Sequence, residues 1–256
     1  KKTIAIMIVN FACQTFEMTP IMKLCKKNKI MLIEDAAENL GGKYKNRIAG
    51  SFGNSIYSFF PSKNITTGEG GMITTNNAKL ANKIRTIIAH GIFKDPKKEK
   101  WYRNAILAGH NFRLTNFQSA LGISQLNKLN YLNKKKINLA NIYDKAFLNI
   151  KEIKILHKNK NIRNVYQMYF IRVNKKIRNK LVNYLNLKNI EASVHFDPPV
   201  HRQKFYKKYF KKQNNKLLNT DILSSEIITL PIYPDMKKID QKIVIKEIKS
   251  FFIKYK

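Results

Sequence analysis

The sequence predicts an α/β chain: a mostly parallel sheet that carries the site-bearing loops, followed by a smaller α+β portion. Three observations predict it. Two short, wholly apolar runs at residues 4–9 and 30–33 flank a helical pattern, and strand, helix, strand at that spacing reads as a βαβ unit. All ten glycines lie between Gly41 and Gly122, so the loops that need positive φ or close approach to a ligand are expected in the first half. Beyond residue 150 the strand and helix patterns mix without glycine, which suits a plainer scaffold. The expected division is 1–150 and 151–256.

Taken in order, residues 3–9 form a strand buried on both faces. Thr19 is placed to cap a helix with Pro20 at its first position, closed by Lys26, Lys27 and Asn28. Residues 30–33 are the second buried strand, ending at the acidic pair Glu34 and Asp35. In parallel sheets ligands sit beyond the carboxyl ends of the strands, which is where Asp35 falls. Strands at 55–59 and 71–75 and a helix from Asn77 to about Ala89 follow. The spacing of Phe117, Ala120, Leu121, Ile123, Leu126 and Leu129 predicts an amphipathic helix from Asn116, and a second is expected from about Asn130 to Leu148. Strands at 166–173 and 190–194 around a helix at 177–187, then a helix at 238–252, complete the chain.

The composition excludes several classes. With 44% hydrophobic and 11% aromatic residues in 256, the chain buries a real core. No stretch reaches the roughly 18 to 20 apolar residues of a membrane-spanning helix, and no cleavage site follows the first apolar run. A cytoplasmic protein with no membrane partner is expected. Cys13 and Cys25 form no CxxC pair and have no histidine at metal spacing, so neither a disulfide framework nor a metal site is suggested. The formal charge of +33 invites a nucleic-acid reading. Against it, only eight of the 49 basic residues are Arg, the lysine runs are scattered, and lysine is accompanied throughout by Asn, Ile, Phe and Tyr. All have A/T-rich codons, and nucleotide bias explains the charge without a nucleic-acid partner.

The densest candidate for chemistry is Ser58-Phe59-Phe60-Pro61-Ser62-Lys63, followed by Gly68-Glu69-Gly70-Gly71. A lysine among aromatics, a proline and glycines is expected in apolar surroundings, which disfavour the ammonium and favour nucleophilic attack on a carbonyl. By composition alone Lys63 is one of 41 lysines. A Walker A loop does not fit, because the glycines follow the lysine and Asn64 stands next to it. Asp35 reads either as a helix cap at a strand-to-helix turn or as the carboxylate that holds a proton on a pyridine nitrogen.

These residues, in order, resemble a known family. Glu34-Asp35-Ala36-Ala37, Gly50-Ser51-Phe52-Gly53, Ser58-Phe59 with Pro61-Ser62-Lys63, and Thr67-Gly68-Glu69-Gly70-Gly71 are similar to consecutive motifs of the DegT/DnrJ/EryC1/StrS sugar aminotransferases. The likeness continues through His90-Gly91, Gly109-His110-Asn111-Phe112-Arg113-Leu114, Gln118-Ser119-Ala120-Leu121-Gly122, Val194-His195-Phe196 with His201, and Leu230-Pro231-Ile232. The resemblance implies the fold of a type I pyridoxal-phosphate transferase, with part of the large domain and a small α+β C-terminal domain. The implied activity moves an amino group, usually from glutamate, onto a keto group of a nucleotide-linked sugar destined for a polysaccharide or glycosylated product. Carried over by position, Lys63 bonds to the cofactor aldehyde and shuttles the proton, and Asp35 pairs with the pyridinium nitrogen. Ser58 bonds the phosphate, and Asn111 reaches the phosphate of a neighbouring subunit's cofactor, which implies a homodimer with shared active sites. Arg113 is implied either for a substrate carboxylate or for structure, and His195 and His201 either for the sugar site or as satisfied structural histidines.

Two departures accompany the likeness. Position 38 is Glu where many members place Gln or His against the cofactor, and a second carboxylate so close to Asp35 is expected to be either protonated or hydrogen-bonded. Members also carry a substantial segment before the first strand found here, with a phosphate-binding helix end and a ring-stacking aromatic. The chain is therefore expected to be the larger part of such an enzyme, with apolar sheet surface uncovered. The alternative is a truncated or non-catalytic chain that keeps the motifs without assembling the site. Lysine at 63 favours transamination, because the branches that dehydrate the sugar have His there.

Overall fold

The computed structural model describes residues 2–93, 95–209 and 217–255. Their contacts divide into two compact units, residues 1–131 with 161–165, and residues 132–160 with 166–256. The division falls inside a helix and not near residue 150, because the predicted helix pair is one continuous rod, α3 below. Nothing between 116 and 147 breaks it: the segment holds no proline, and an interior Asn such as Asn130 costs only about 0.7 kcal/mol against Ala.

In the first unit, β1 (Ala5–Val9), α1 (Met18–Asn28) and β2 (Met31–Asp35) form the expected βαβ unit. Two short strands, β3 (Lys43–Tyr44) and β4 (Arg47–Ile48), precede β5 (Asn54–Ser58), β6 (Gly71–Thr74) and α2 (Ala78–Ile88). Strands β1, β2 and β5 run parallel, and β6 closes the sheet antiparallel, in the order β1-β2-β5-β6. The register sets Val9 beside Asp35, Asp35 beside Ile56, and Ser58 beside Gly71. All the carboxyl ends of the parallel strands therefore share one edge. Both outer strands show apolar side chains to solvent, Met7 and Val9 on β1 and Met72 and Ile73 on β6. Thr19 lies inside α1, not at its cap, which falls at Glu17; the Thr19 hydroxyl instead meets the Tyr44 hydroxyl at 3.1 Å. Lys29, left-handed at φ 53°, ends that helix. The helix expected from Asn77 is α2, and Asn77 caps it, accepting the Leu80 N–H at 3.0 Å. A small hairpin of β7 (Ile92–Phe93) and β8 (Asn104–Ala105) follows.

Helix α3 (Asn116–Phe147) gives its first half to this unit and its second half to the other. The second unit then adds β9 (Lys154–Ile155), while β10 (Ile162–Arg163) pairs back onto β3 in the first. It continues with β11 (Tyr169–Arg172), α4 (Lys175–Leu187), α5 (Leu218–Glu226), β12 (Ile227–Leu230) and α6 (Lys238–Lys254). Its antiparallel sheet has the order β12-β11-β9. Residues 190–194, expected as a strand, make only an isolated bridge, Ser193 to Thr229. The core here is large: Tyr143, Phe147, Tyr169, Leu181, Leu185, Ile228, Ile248 and Phe251 are buried together. The first unit's cluster is smaller, built on Ile8, Met18, Cys25, Leu32, Tyr44 and Phe52.

Candidate active site

The site is built at the carboxyl edge of β1, β2 and β5. Behind it, Glu34 has no exposed surface and is tied to three segments. Its Oε1 accepts from Asn10 Nδ2 at 2.8 Å, and its Oε2 lies 3.4 Å from both the Phe52 N–H and the Ser55 hydroxyl. The Asn10 N–H also donates to the Asp35 carbonyl at 2.9 Å. The ends of the strands are thus fastened around Asp35. Alternation along β2 turns Asp35 to the opposite face from Glu34. There its Oδ1 accepts the Ala37 N–H at 3.0 Å.

Lys63 sits on a loop that closes upon Phe59. The Phe59 N–H donates to the Gly70 carbonyl, and the Phe59 carbonyl accepts from the Thr67 N–H and the Thr66 hydroxyl. Phe59 and Ile65 are buried beneath the loop. Gly70, at φ 152°, is needed where it stands, because a Cβ there would meet Thr67 Oγ1 at 2.5 Å and Leu114 Cδ2 at 2.9 Å. Lys63 Nζ lies 3.5 Å from Glu38 Oε1, with both side chains largely buried at 18% and 14% exposure. The apolar setting expected for this lysine is instead one with a carboxylate counter-ion. Of the two alternatives for Glu38, the geometry shows a hydrogen bond: its Oε2 accepts the Ala12 N–H at 3.2 Å. Ser58 ends β5, and its Oγ accepts the Phe60 N–H at 3.3 Å, which leaves the hydroxyl hydrogen to offer an anion.

The other candidates fall in separate places. Arg113 and Asn111 meet on an exposed loop of the first unit, Arg113 Nη2 lying 3.4 Å from Asn111 Oδ1 and 3.4 Å from His90 Nε2. His90 entered the sequence reading only as part of the His90-Gly91 motif, with no role of its own; both residues have positive φ, 63° and 73°, in a turn. His195 and His201 belong to the second unit. His195 Nδ1 is 2.7 Å from Thr229 Oγ1. His201 is buried, with Nε2 2.9 Å from Asp221 Oδ1. The Arg202 guanidinium beside Asp221, with His201, holds that carboxyl down at about 2. Two cavities open in the first unit, one of about 770 Å³ along β6 and α2 and one of about 330 Å³ under the Ile65–Thr67 stretch. Neither is lined by Lys63, Asp35, Glu38 or Ser58.

The family model described as the DegT/DnrJ/EryC1/StrS aminotransferase family matches residues 1–249. The chain belongs to the DegT/DnrJ/EryC1/StrS aminotransferase family. Its members are pyridoxal-phosphate-dependent sugar aminotransferases of fold type I. The chain is 35% identical over 260 residues to the uncharacterized protein MJ1066 of Methanocaldococcus jannaschii, covering 98% of this chain and 67% of that protein. It is 35% identical over 244 residues to the UDP-4-amino-4,6-dideoxy-N-acetyl-beta-L-altrosamine transaminase of Campylobacter jejuni, covering 94% and 63%. Among solved structures it resembles Helicobacter pylori PseC, described as an aminotransferase involved in the biosynthesis of pseudoaminic acid. The TM-score is 0.91 at 29% identity, covering 99% of this chain and 68% of that one. The chain spans about two thirds of the length of the curated relatives it matches.

The residues present in this DegT/DnrJ/EryC1/StrS chain fit the family cofactor. An amine, a carboxylate held by a backbone N–H, and a hydroxyl with a hydrogen to give are the donor set that an aldehyde, a pyridinium nitrogen and a phosphate require. They stand on adjoining strand ends and the loop that leaves them. Among the described residues no helix is long and apolar enough to cross a membrane.

Proposed function

We propose that the protein carrying this chain transfers an amino group from glutamate to a keto group of a nucleotide-linked sugar, working as a homodimer with shared active sites. What supports the reading is that Asp35 and Ser58 end adjoining strands while Lys63 pairs with Glu38 on the loops that leave them, in a family whose relatives include a UDP-sugar transaminase. Pyridoxal phosphate, when bound, supplies an electron sink for the carbon that gains or loses nitrogen. Asp35 faces the ring nitrogen and holds its proton. Ser58 donates to the phosphate, with Asn111 reaching the phosphate of the neighbouring subunit. Lys63 is the covalent anchor and, once released, the base that moves the proton at the reacting carbon. Arg113 offers a guanidinium to a substrate carboxylate. In the second unit His201 is already committed to Asp221 and holds the segment that bears His195.

The test is spectroscopic and chemical. The purified protein with pyridoxal phosphate is expected to show an absorbance band that Lys63→Ala removes, and to convert more than one equivalent of glutamate per site to 2-oxoglutarate only when a UDP-linked keto sugar is supplied. The alternative reading is a chain that keeps the motifs without assembling the site. A wild-type protein with no band, in which Lys63→Ala changes nothing, favours that second reading.

A further inference from the structure

Glu38 is fixed before Lys63 is considered. Its Oε2 accepts the Ala12 N–H at 3.2 Å, and its carbonyl oxygen takes the Cys13 thiol at 2.6 Å. Ala12 and Cys13 both occupy the left-handed region, at φ 57° and 60°. For residues other than glycine that conformation costs about 1–2 kcal/mol each, and it persists only where the surroundings over-determine it. Residue 38 fastens both members of this turn, so its carboxylate is aimed by the turn and not by the lysine. The remaining oxygen, Oε1, stands 3.5 Å from Lys63 Nζ.

We infer that Glu38 is the resting partner of the Lys63 amine whenever that amine is not bonded to the cofactor, and that this pairing sets the balance between cofactor forms that engage Lys63 and forms that leave it free. The inference rests on the pyridoxal-phosphate reading of the site. To engage an aldehyde, the Lys63 ammonium gives one proton to solvent, its nitrogen forms a double bond to the aldehyde carbon, and the aldehyde oxygen leaves as water. That withdraws the cation from Glu38. Pyridoxamine phosphate has no aldehyde, so it leaves the Lys63–Glu38 pair in place. An interaction made only by the free amine therefore opposes the aldehyde form and is neutral toward the amine form.

The experiment measures equilibrium dissociation constants of pyridoxal phosphate and pyridoxamine phosphate for wild type, Glu38→Gln and Glu38→Asp, with borohydride trapping and peptide mapping to confirm attachment at Lys63. For Glu38→Gln, pyridoxal phosphate is expected to bind about threefold to tenfold tighter, the range of a pair worth around 1 kcal/mol. Pyridoxamine phosphate is expected to stay within about twofold, and Glu38→Asp, which keeps the charge, to lie closer to wild type. A common factor for both ligands, or a change in the opposite sense, overturns the inference. Should Glu38→Gln not fold, Glu38→Ala carries the same comparison. A wild type with no trapped adduct at Lys63 overturns the proposed function itself, an outcome distinct from an unchanged ratio in a protein that does form the adduct.

Discussion

A carboxylate with no exposed surface must find a donor for each oxygen, and Glu34 finds three in Asn10, Phe52 and Ser55. Its charge, together with burial, pushes the Tyr57 phenol up, burial being the larger cause. The sequence offered Glu34 only as the neighbour of Asp35, since an acidic pair at a strand end does not say which member turns inward. Glycine at 91 entered the sequence reading only as part of a motif, and its reason is steric. It lies at φ 73°, and a Cβ there would stand 1.8 Å from the Leu107 carbonyl oxygen, which is backbone and cannot swing away. Gly91→Ala is therefore expected to lower the unfolding free energy by at least about 2 kcal/mol, as left-handed strain and overpacking add. Urea denaturation followed by circular dichroism checks it, and a change below half that size contradicts the turn described here.

At the scale of elements, the segment bearing His195 is tied to its neighbours by ion pairs. Arg178 pairs with Asp197 from α4, and both His201 and Arg202 hold Asp221 at the first turns of α5. Because the folded carboxyl of Asp221 sits at about 2 and its ordinary value is 3.8, this clamp's contribution is complete above pH 4 and is lost as pH falls toward 2. Asp221→Asn is expected to be less stable than wild type at pH 6 and to approach it as the pH nears 2. Paired unfolding curves across that range test the sign. Elements with strong local signals were legible: the βαβ unit, α2 and α6 follow from apolar runs and helical spacing. Less legible were the two-residue strands β3, β4 and β10, which are too short to show a period, and the bridge at Ser193, whose strand-like residues meet only one partner. The motif residues of the site were readable in order, but not the 3.5 Å approach of Glu38 to Lys63, which depends on a turn 25 residues before Glu38 in sequence.

Across the whole chain, the formal charge of +33 and pI near 10.1 mean that raising the pH discharges lysines and relieves self-repulsion. Opposing this, burial drives the phenols of Tyr143 and Tyr169 far up, with Asp144 adding to the effect at Tyr169. A group raised in the folded state gives its full stability below its unfolded value, here 10.0, and loses it above. Each such phenol lowers stability by about 1.4 kcal/mol per pH unit beyond that point. Tyr169→Phe should flatten the alkaline decline by about that slope between pH 10 and 11 at fixed ionic strength, a difference that cancels the lysine contribution common to both proteins. The chain passes between its two units three times, at 131–132, 160–161 and 165–166, the first passage lying within α3. No single peptide-bond cut can therefore hand either half over as a continuous polypeptide. Anyone wishing to study one portion by itself must splice two stretches with a new loop, since trimming from an end leaves a stump of rod or an orphaned ribbon.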